Sequence, residues 1–180
     1  MRPIPALIMV PAALVAYSAA YAAEYLTVPQ AQQQLFPDAD RFVDAAVELT
    51  AAQSKAIEKQ SGVRQRWSKQ AVWRAEKEGQ PLGWFIVDQV IGKHEFITYA
   101  VGLTPDNKVR GIEILVYLET YGYQVREPEW RRKFVGKALT DPFKLDQDIP
   151  NISGATLSCR NVMNGVKRLL ALQQVALGKL

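Results

Sequence analysis

Apolar and polar positions follow two different rhythms along this chain, and the change between them marks out its architecture. Residues 28–35 keep a short helical pattern, which Phe36-Pro37-Asp38 stops, because a residue before proline is pushed out of the helical region. Residues 50–59 suit a second helix: Thr50 is placed to cap it, Gln53 stands at the capping-box position, and Ser61-Gly62 ends it. Then the period shortens. Ala71-Val72-Trp73, Trp84-Phe85-Ile86-Val87, residues 96–101 and residues 112–118 are β-branched or aromatic runs. Between them stand Glu78-Gly79-Gln80-Pro81, Gly92-Lys93 and Thr104-Pro105-Asp106-Asn107, a spacing that predicts a meander of antiparallel strands. In the last run strict alternation puts Ile112, Ile114, Val116 and Leu118 on one face and Glu113, Leu115 and Tyr117 on the other, so one face is core and the other mixed.

After the strands, Glu119-Thr120-Tyr121-Gly122-Tyr123 reads as a sharp exit. Residues 128–134 form an amphipathic stretch that ends at Gly136 and whose Arg and Lys face water, and residues 141–150 are loop. From Leu157 the apolar positions Val162, Val166, Leu169, Leu170 and Leu177 keep helical spacing and predict a terminal amphipathic helix over one sheet face. The expected class is α+β: an antiparallel sheet flanked by helices, with a C-terminal amphipathic helix. No linker, low-complexity tract or repeat interrupts the chain, so residues 24–180 are read as one domain.

The first residues bear on location. Arg2 supplies a positive n-region, residues 4–15 an apolar run, and Ala20-Tyr21-Ala22 a small-x-small cleavage site, so residues 1–23 are expected to be the signal peptide of a periplasmic or otherwise exported protein. The alternative is an uncleaved N-terminal membrane anchor facing the periplasm, since Ile4 to Ala23 is uncharged and nearly long enough to span a bilayer. The net charge is +4, with basic residues spread among acidic ones, which does not argue for nucleic acid. One cysteine, Cys159, makes no internal disulfide and suits a small buried position. The same count excludes an attached haem and an iron–sulfur cluster. The single histidine, His94, lies on a turn where solvation is the plain expectation, and it supports neither a histidine metal cluster nor a Ser-His-Asp arrangement. Electron chemistry here would need an organic cofactor.

Candidate chemistry concentrates in Asn151-Ile152-Ser153-Gly154-Ala155-Thr156-Leu157-Ser158, just ahead of the last helix. Glycine lets the backbone approach a ligand, the small alanine leaves room, hydroxyls offer hydrogen bonds, and the first N–H groups of a helix favour a phosphate. Ser153 or Thr156 also suits a plain helix cap. Physics alone leaves both readings open and favours the cap.

The run Ser153-Gly154-Ala155-Thr156-Leu157-Ser158 followed by a helix resembles the FMN-binding domain family, found in the C subunit of sodium-translocating NADH:quinone reductase and the G subunit of Rnf complexes. Residues 109–115 with Glu119-Thr120-Tyr121-Gly122 resemble that family's strand and its Glu-Thr-Pro-Gly turn. Gly83-Trp84-Phe85 through Gly102 is similar to its preceding hairpin, and Phe134-Val135-Gly136-Lys137 to its Phe-x-Gly-Lys step, so the likeness runs from about Pro81 to Leu170. The resemblance implies FMN as cofactor, attached by a phosphoester to Thr156 through a separate flavin transferase with FAD as donor. It implies an electron-transfer flavoprotein between a membrane redox partner and a periplasmic acceptor, a carrier or oxidoreductase component rather than a stand-alone catalyst. Ser153 and Ser158 are placed near the phosphate, while Glu119 and Thr120 either touch the flavin ring or shape the turn. Gly154, Ala155, Leu157, Tyr121 and Gly122 complete the expected cofactor set.

Two positions depart from the family pattern. Pro150 stands where an aspartate usually precedes the serine by three residues, with Asp148 two further upstream, and Tyr121 replaces the proline of the turn. The alternative is a module that keeps the fold, binds flavin non-covalently or not at all, and acts as an assembly or sensor subunit. Lys167 and Arg168, more than two turns down the last helix, are expected in solvent, and the four tryptophans in packing.

Overall fold

The computed structural model describes residues 23–178, so nearly all of the segment read as a signal peptide lies outside the described residues. The strands are β1 (Ala23–Glu24), β2 (Arg41–Asp44), β3 (Val47–Glu48), β4 (Lys69–Lys77), β5 (Gln80–Ile91), β6 (Phe96–Leu103) and β7 (Val109–Tyr117). Six of them lie side by side in the order β1-β7-β6-β5-β4-β2, and β3 adds to β4. Every pairing among these strands is antiparallel, and β4 to β7 are the expected meander.

Helices α1 (Val28–Leu35) and α2 (Ala51–Ser61) each start on a threonine capping box, Thr27 with Gln30 and Thr50 with Gln53. The last helix, α4 (Thr156–Leu172), packs with α2 on one face of the sheet. There Ile57, Val72, Ile86, Tyr99 and Ile114 bury against Cys159, Val162, Val166 and Leu169 of α4. Burial pushes the Cys159 thiol up, so it stays a neutral packing group. The opposite face is covered by α1 and Phe36, over Ala75, Phe85, Ala100 and Leu115. Both faces are therefore core, which is why the strands read as near-continuous apolar runs.

The alternation expected for β7 breaks partway. Thr98 pairs with Val116 but Tyr99 with Ile114, so Leu115 is the extra residue of a β-bulge. Ile112 and Ile114 face α4 as expected, but beyond the bulge the faces exchange. Val116 packs with Leu115 on the α1 side, Tyr117 turns into the α4 side, and Leu118 is exposed. The bulged Leu115 carbonyl accepts the N–H of Tyr25 at 2.8 Å, a pairing with the distant chain start that no single-strand pattern displays.

Two charged residues are also not in water. Arg131, which closes the short α3 (Pro128–Arg131), pairs with Glu113 and donates to the Ile112 carbonyl at 3.0 Å. Burial pushes the Glu113 carboxyl up against the opposing pull of Arg131. Arg168 is 3% exposed and bonds to Asp88 and to Gln65. Tyr99 donates to the same Asp88 oxygen, and burial together with the Asp88 charge holds its phenol well above the ordinary tyrosine range. Lys167, by contrast, is half-buried. Of the tryptophans, Trp84 and Trp130 are buried, Trp73 is half-buried and Trp67 is exposed.

Candidate functional site

The meander turns at one end of the sheet bring separated segments together. The chain leaves β5 at Ile91, re-enters at Phe96 and leaves β7 at Tyr117, all at the same end, because Ile91 pairs with Phe96 and Ile97 with Tyr117. The first turn of α4 lies against this end, where Asn161 Nδ2 donates to the Ile91 carbonyl at 2.7 Å. Between these parts is an open cleft of about 390 Å³, lined by Lys93, His94, Glu119, Thr120, Tyr121 and residues 154–158. A volume of that size is within the range of cofactor clefts.

Most residues picked from the sequence meet here. Glu119, Thr120, Tyr121, Gly154, Ala155, Thr156, Leu157 and Ser158 line the cleft, Ser153 is exposed beside it, and Gly122 is buried behind its wall. Lys93 and His94 were not anticipated. The signal for them was present in the strand order, since neighbouring antiparallel strands place residues 92–95 beside residues 118–122, but a turn read by itself shows only solvent.

Gly122 sets how closely the two walls approach. It has φ +86°, and a Cβ on it would fall 2.1 Å from the Ala155 Cβ and 2.7 Å from the Tyr117 Oη. Exit turn and helix start thus touch with no side chain between them. Tyr117, swung toward α4 by the Leu115 bulge, donates to the Tyr121 carbonyl at 2.5 Å and lies 3.4 Å from Ser158 Oγ. Burial pushes its phenol up, so the hydroxyl remains a donor.

The start of α4 has no side-chain cap. Its N-cap is Ala155, and Thr156 is its first helical residue, so neither Ser153 nor Thr156 plays the capping part. Gly154 has φ +79° with open space where a Cβ would project, so its demand is conformational and the approach to the helix start is clear. Backbone donors and the positive end of the helix dipole face the cleft.

Glu119 is engaged with the neighbouring turn. Its Oε1 accepts the N–H of His94 at 2.6 Å and of Glu95 at 3.1 Å. Burial raises its pKa, but the backbone donors of His94, Glu95 and Lys93 outweigh that and hold the carboxyl below the ordinary 4.5. A depressed folded pKa stabilises above the unfolded value and is lost as pH falls through the folded one. Acidification from about pH 5 to about pH 3 is therefore expected to lower amide protection at His94 and Glu95, measured by hydrogen exchange. Protection that holds unchanged to the lower pH would contradict this role.

Asp148 is similarly engaged. Its carboxylate accepts from Lys137 Nζ at 2.8 Å, Lys144 N at 2.6 Å and Phe143 N at 3.1 Å. Burial works against ionisation, but Lys137 and these amides hold the carboxyl below its ordinary range. It organises the loop and does not substitute at the position of Pro150, whose carbonyl accepts the Trp130 Nε1 at 2.8 Å. Among the described residues no group of three or more His, Cys, Asp or Glu is arranged to hold a metal ion, and no helix is long and apolar enough to cross a membrane.

Nothing among curated proteins matches this chain. The model of the FMN-binding domain matches residues 92–171. A solved structure, that of Shewanella oneidensis NqrC, is similar at 21% identity and a TM-score of 0.50, over 74% of this chain and 66% of that chain. At that identity the likeness concerns the fold, an antiparallel sheet with helices that include a C-terminal one. The matched segment opens at the turn of Lys93 and His94 and closes within α4, so both walls of the cleft fall inside the segment that is similar to the FMN-binding domain.

Proposed function

We propose that this protein is an electron-transfer flavoprotein that carries FMN in the cleft, joined by a phosphoester to Thr156 Oγ. The observation that carries the reading is the meeting of the uncapped α4 start with the 119–122 turn in one cleft, inside the segment that matches the FMN-binding domain. The residues present fit the cofactor. Thr156 stands at the first position of α4, where helix N–H groups and dipole favour a phosphate, and Gly154 leaves the approach open. Ser158, Ser153 and Lys93 add hydroxyls and a cation around that point. Tyr117 and Gly122 hold the opposite wall, and Tyr121, 73% exposed, presents an aromatic ring at the mouth.

The bound flavin would supply the electron-transfer chemistry, and the protein tunes it through contacts and charge. Maturation by a flavin transferase, export across the membrane, and exchange with a membrane-bound or periplasmic redox partner belong to the same proposal. The uncharged run from Ile4 to Ala23 supports export or anchoring.

Co-expression with a flavin transferase tests the attachment. The wild-type chain is expected to keep flavin fluorescence through a denaturing gel and to gain one FMN less water in intact mass. Thr156→Ala is expected to lose both, and a variant still loaded after unfolding would refute Thr156 as acceptor. A second reading is non-covalent FMN, favoured by Pro150 in the place of the family's aspartate and by the engagement of Asp148 elsewhere. In that case the native protein is yellow and the denatured wild type colourless.

A further inference from the structure

We propose that the cleft end of the domain is a docking surface for an anionic lipid bilayer, a reading that needs no flavin. Residues 62–68 lead into β4 at this same end, because Ala71 pairs with Val87 near the end of β5. Arg64, Arg66, Trp67 and Ile91 surround a shared cavity of about 160 Å³. Trp67, Ile91 and Phe96 are 39%, 38% and 44% exposed, and the Trp67 and Phe96 rings lie 6.4 Å apart. Arg64, Arg66 and Lys93 are exposed around them, and Glu95 is the one acidic residue in segments 62–69 and 91–96. Tyr121 and Leu157, exposed at the cleft, are further apolar side chains at this end of the domain.

Scattered exposed apolar residues need no explanation, but a contiguous group of them marks an interaction site. Indole and phenyl rings interleaved with arginine and lysine are the composition of a membrane interface: rings at headgroup level, cations on lipid phosphates. The chain path favours a bilayer over a protein. Ala23 pairs with Tyr117, so the polypeptide joins the domain at this end, and Ile4 to Ala23 carries no charged side chain. Where that segment stays attached as an N-terminal anchor, a surface of this chemistry lies beside the point at which it enters the domain. Docked in this way, the cleft faces the bilayer plane.

The test uses the full chain without flavin, in vesicles of phosphatidylcholine alone and in vesicles with about 30% phosphatidylglycerol, a fraction chosen to give an anionic surface. Amides of residues 62–68 and 91–96 are expected to exchange several-fold more slowly in the anionic vesicles. Brominated acyl chains should quench a tryptophan signal that Trp67→Phe removes. Each basic residue near such a surface is worth about fivefold in partitioning, so Arg64→Gln with Arg66→Gln should lower the anionic preference roughly 25-fold. Equal exchange in the two vesicle types, or no quenching that depends on Trp67, would overturn the proposal. So would protection produced by an acidic protein and by neither vesicle. Flavin loading at Thr156 is unaffected by any of these outcomes, so the two readings fail separately.

Discussion

Gly122→Ala is expected to destabilise the flavin-free protein by roughly 2–5 kcal/mol and to abolish retention of FMN. Two costs combine. The left-handed φ of +86° costs an L side chain about 1–2 kcal/mol. The new methyl would also lie 2.1 Å from the Ala155 Cβ, which is fixed to backbone and has no rotamer by which to retreat. Overpacking of that kind adds about 1–3 kcal/mol. Relief comes only by moving the 119–122 turn away from the start of α4, which opens the cleft where its two walls meet. Gly154→Ala is the control, since its φ of +79° carries the conformational cost in open space. Urea denaturation should place it at about 1–2 kcal/mol. Equal losses for the two variants would show that the wall contact at Gly122 is not the tight point.

Arg168→Leu is expected to cost about 3–5 kcal/mol, because it leaves a buried carboxylate without its cation. The side chains of Asp88 and Arg168 are 1% and 4% exposed, and one Asp88 oxygen has no protein partner. With Arg168 gone, Tyr99 is the remaining donor to that carboxylate. The pair also holds α4 onto the sheet: Gly165 of α4 sits so close that a Cβ there would meet the Tyr99 Oη at 2.1 Å. Replacing both Asp88 and Arg168 by leucine is expected to recover much of the loss, since a buried ion pair exchanged for apolar packing is often near neutral. A single-variant loss under about 1 kcal/mol in urea denaturation would show that water reaches the pair.

These two variants also show where sequence reading stops. The capping box of Thr50 and Gln53, the meander turns and the apolar stripe of α4 were legible because each depends on neighbours within a few residues. The bulge at Leu115 was not, since it is a matter of register against β6, and the carbonyl it presents meets an N-terminal segment some ninety residues away. Arg131 and Arg168 look like solvated charges in any local window, and only the placement of Glu113 and Asp88 on the sheet pulls them inward. In the cleft, residues 119–122 and 153–158 were found by resemblance. Lys93 and His94 were missed because a lone histidine on a turn carries no local sign of what lies across from it.

The sequence by itself determined the class of fold, the positions of its main helices, the order of the four central strands though not their ends, and the segment in which cofactor chemistry concentrates. Those follow from backbone preference and hydrophobic period, which act over a turn or a strand. Only the tertiary structure decided that Tyr117 faces α4, that Ala155 rather than a hydroxyl residue takes the N-cap of that helix, and that three distant turns close on one cleft. Strand register and side-chain contact between segments far apart in the chain set those features, and such contacts exist only once the sheet has formed.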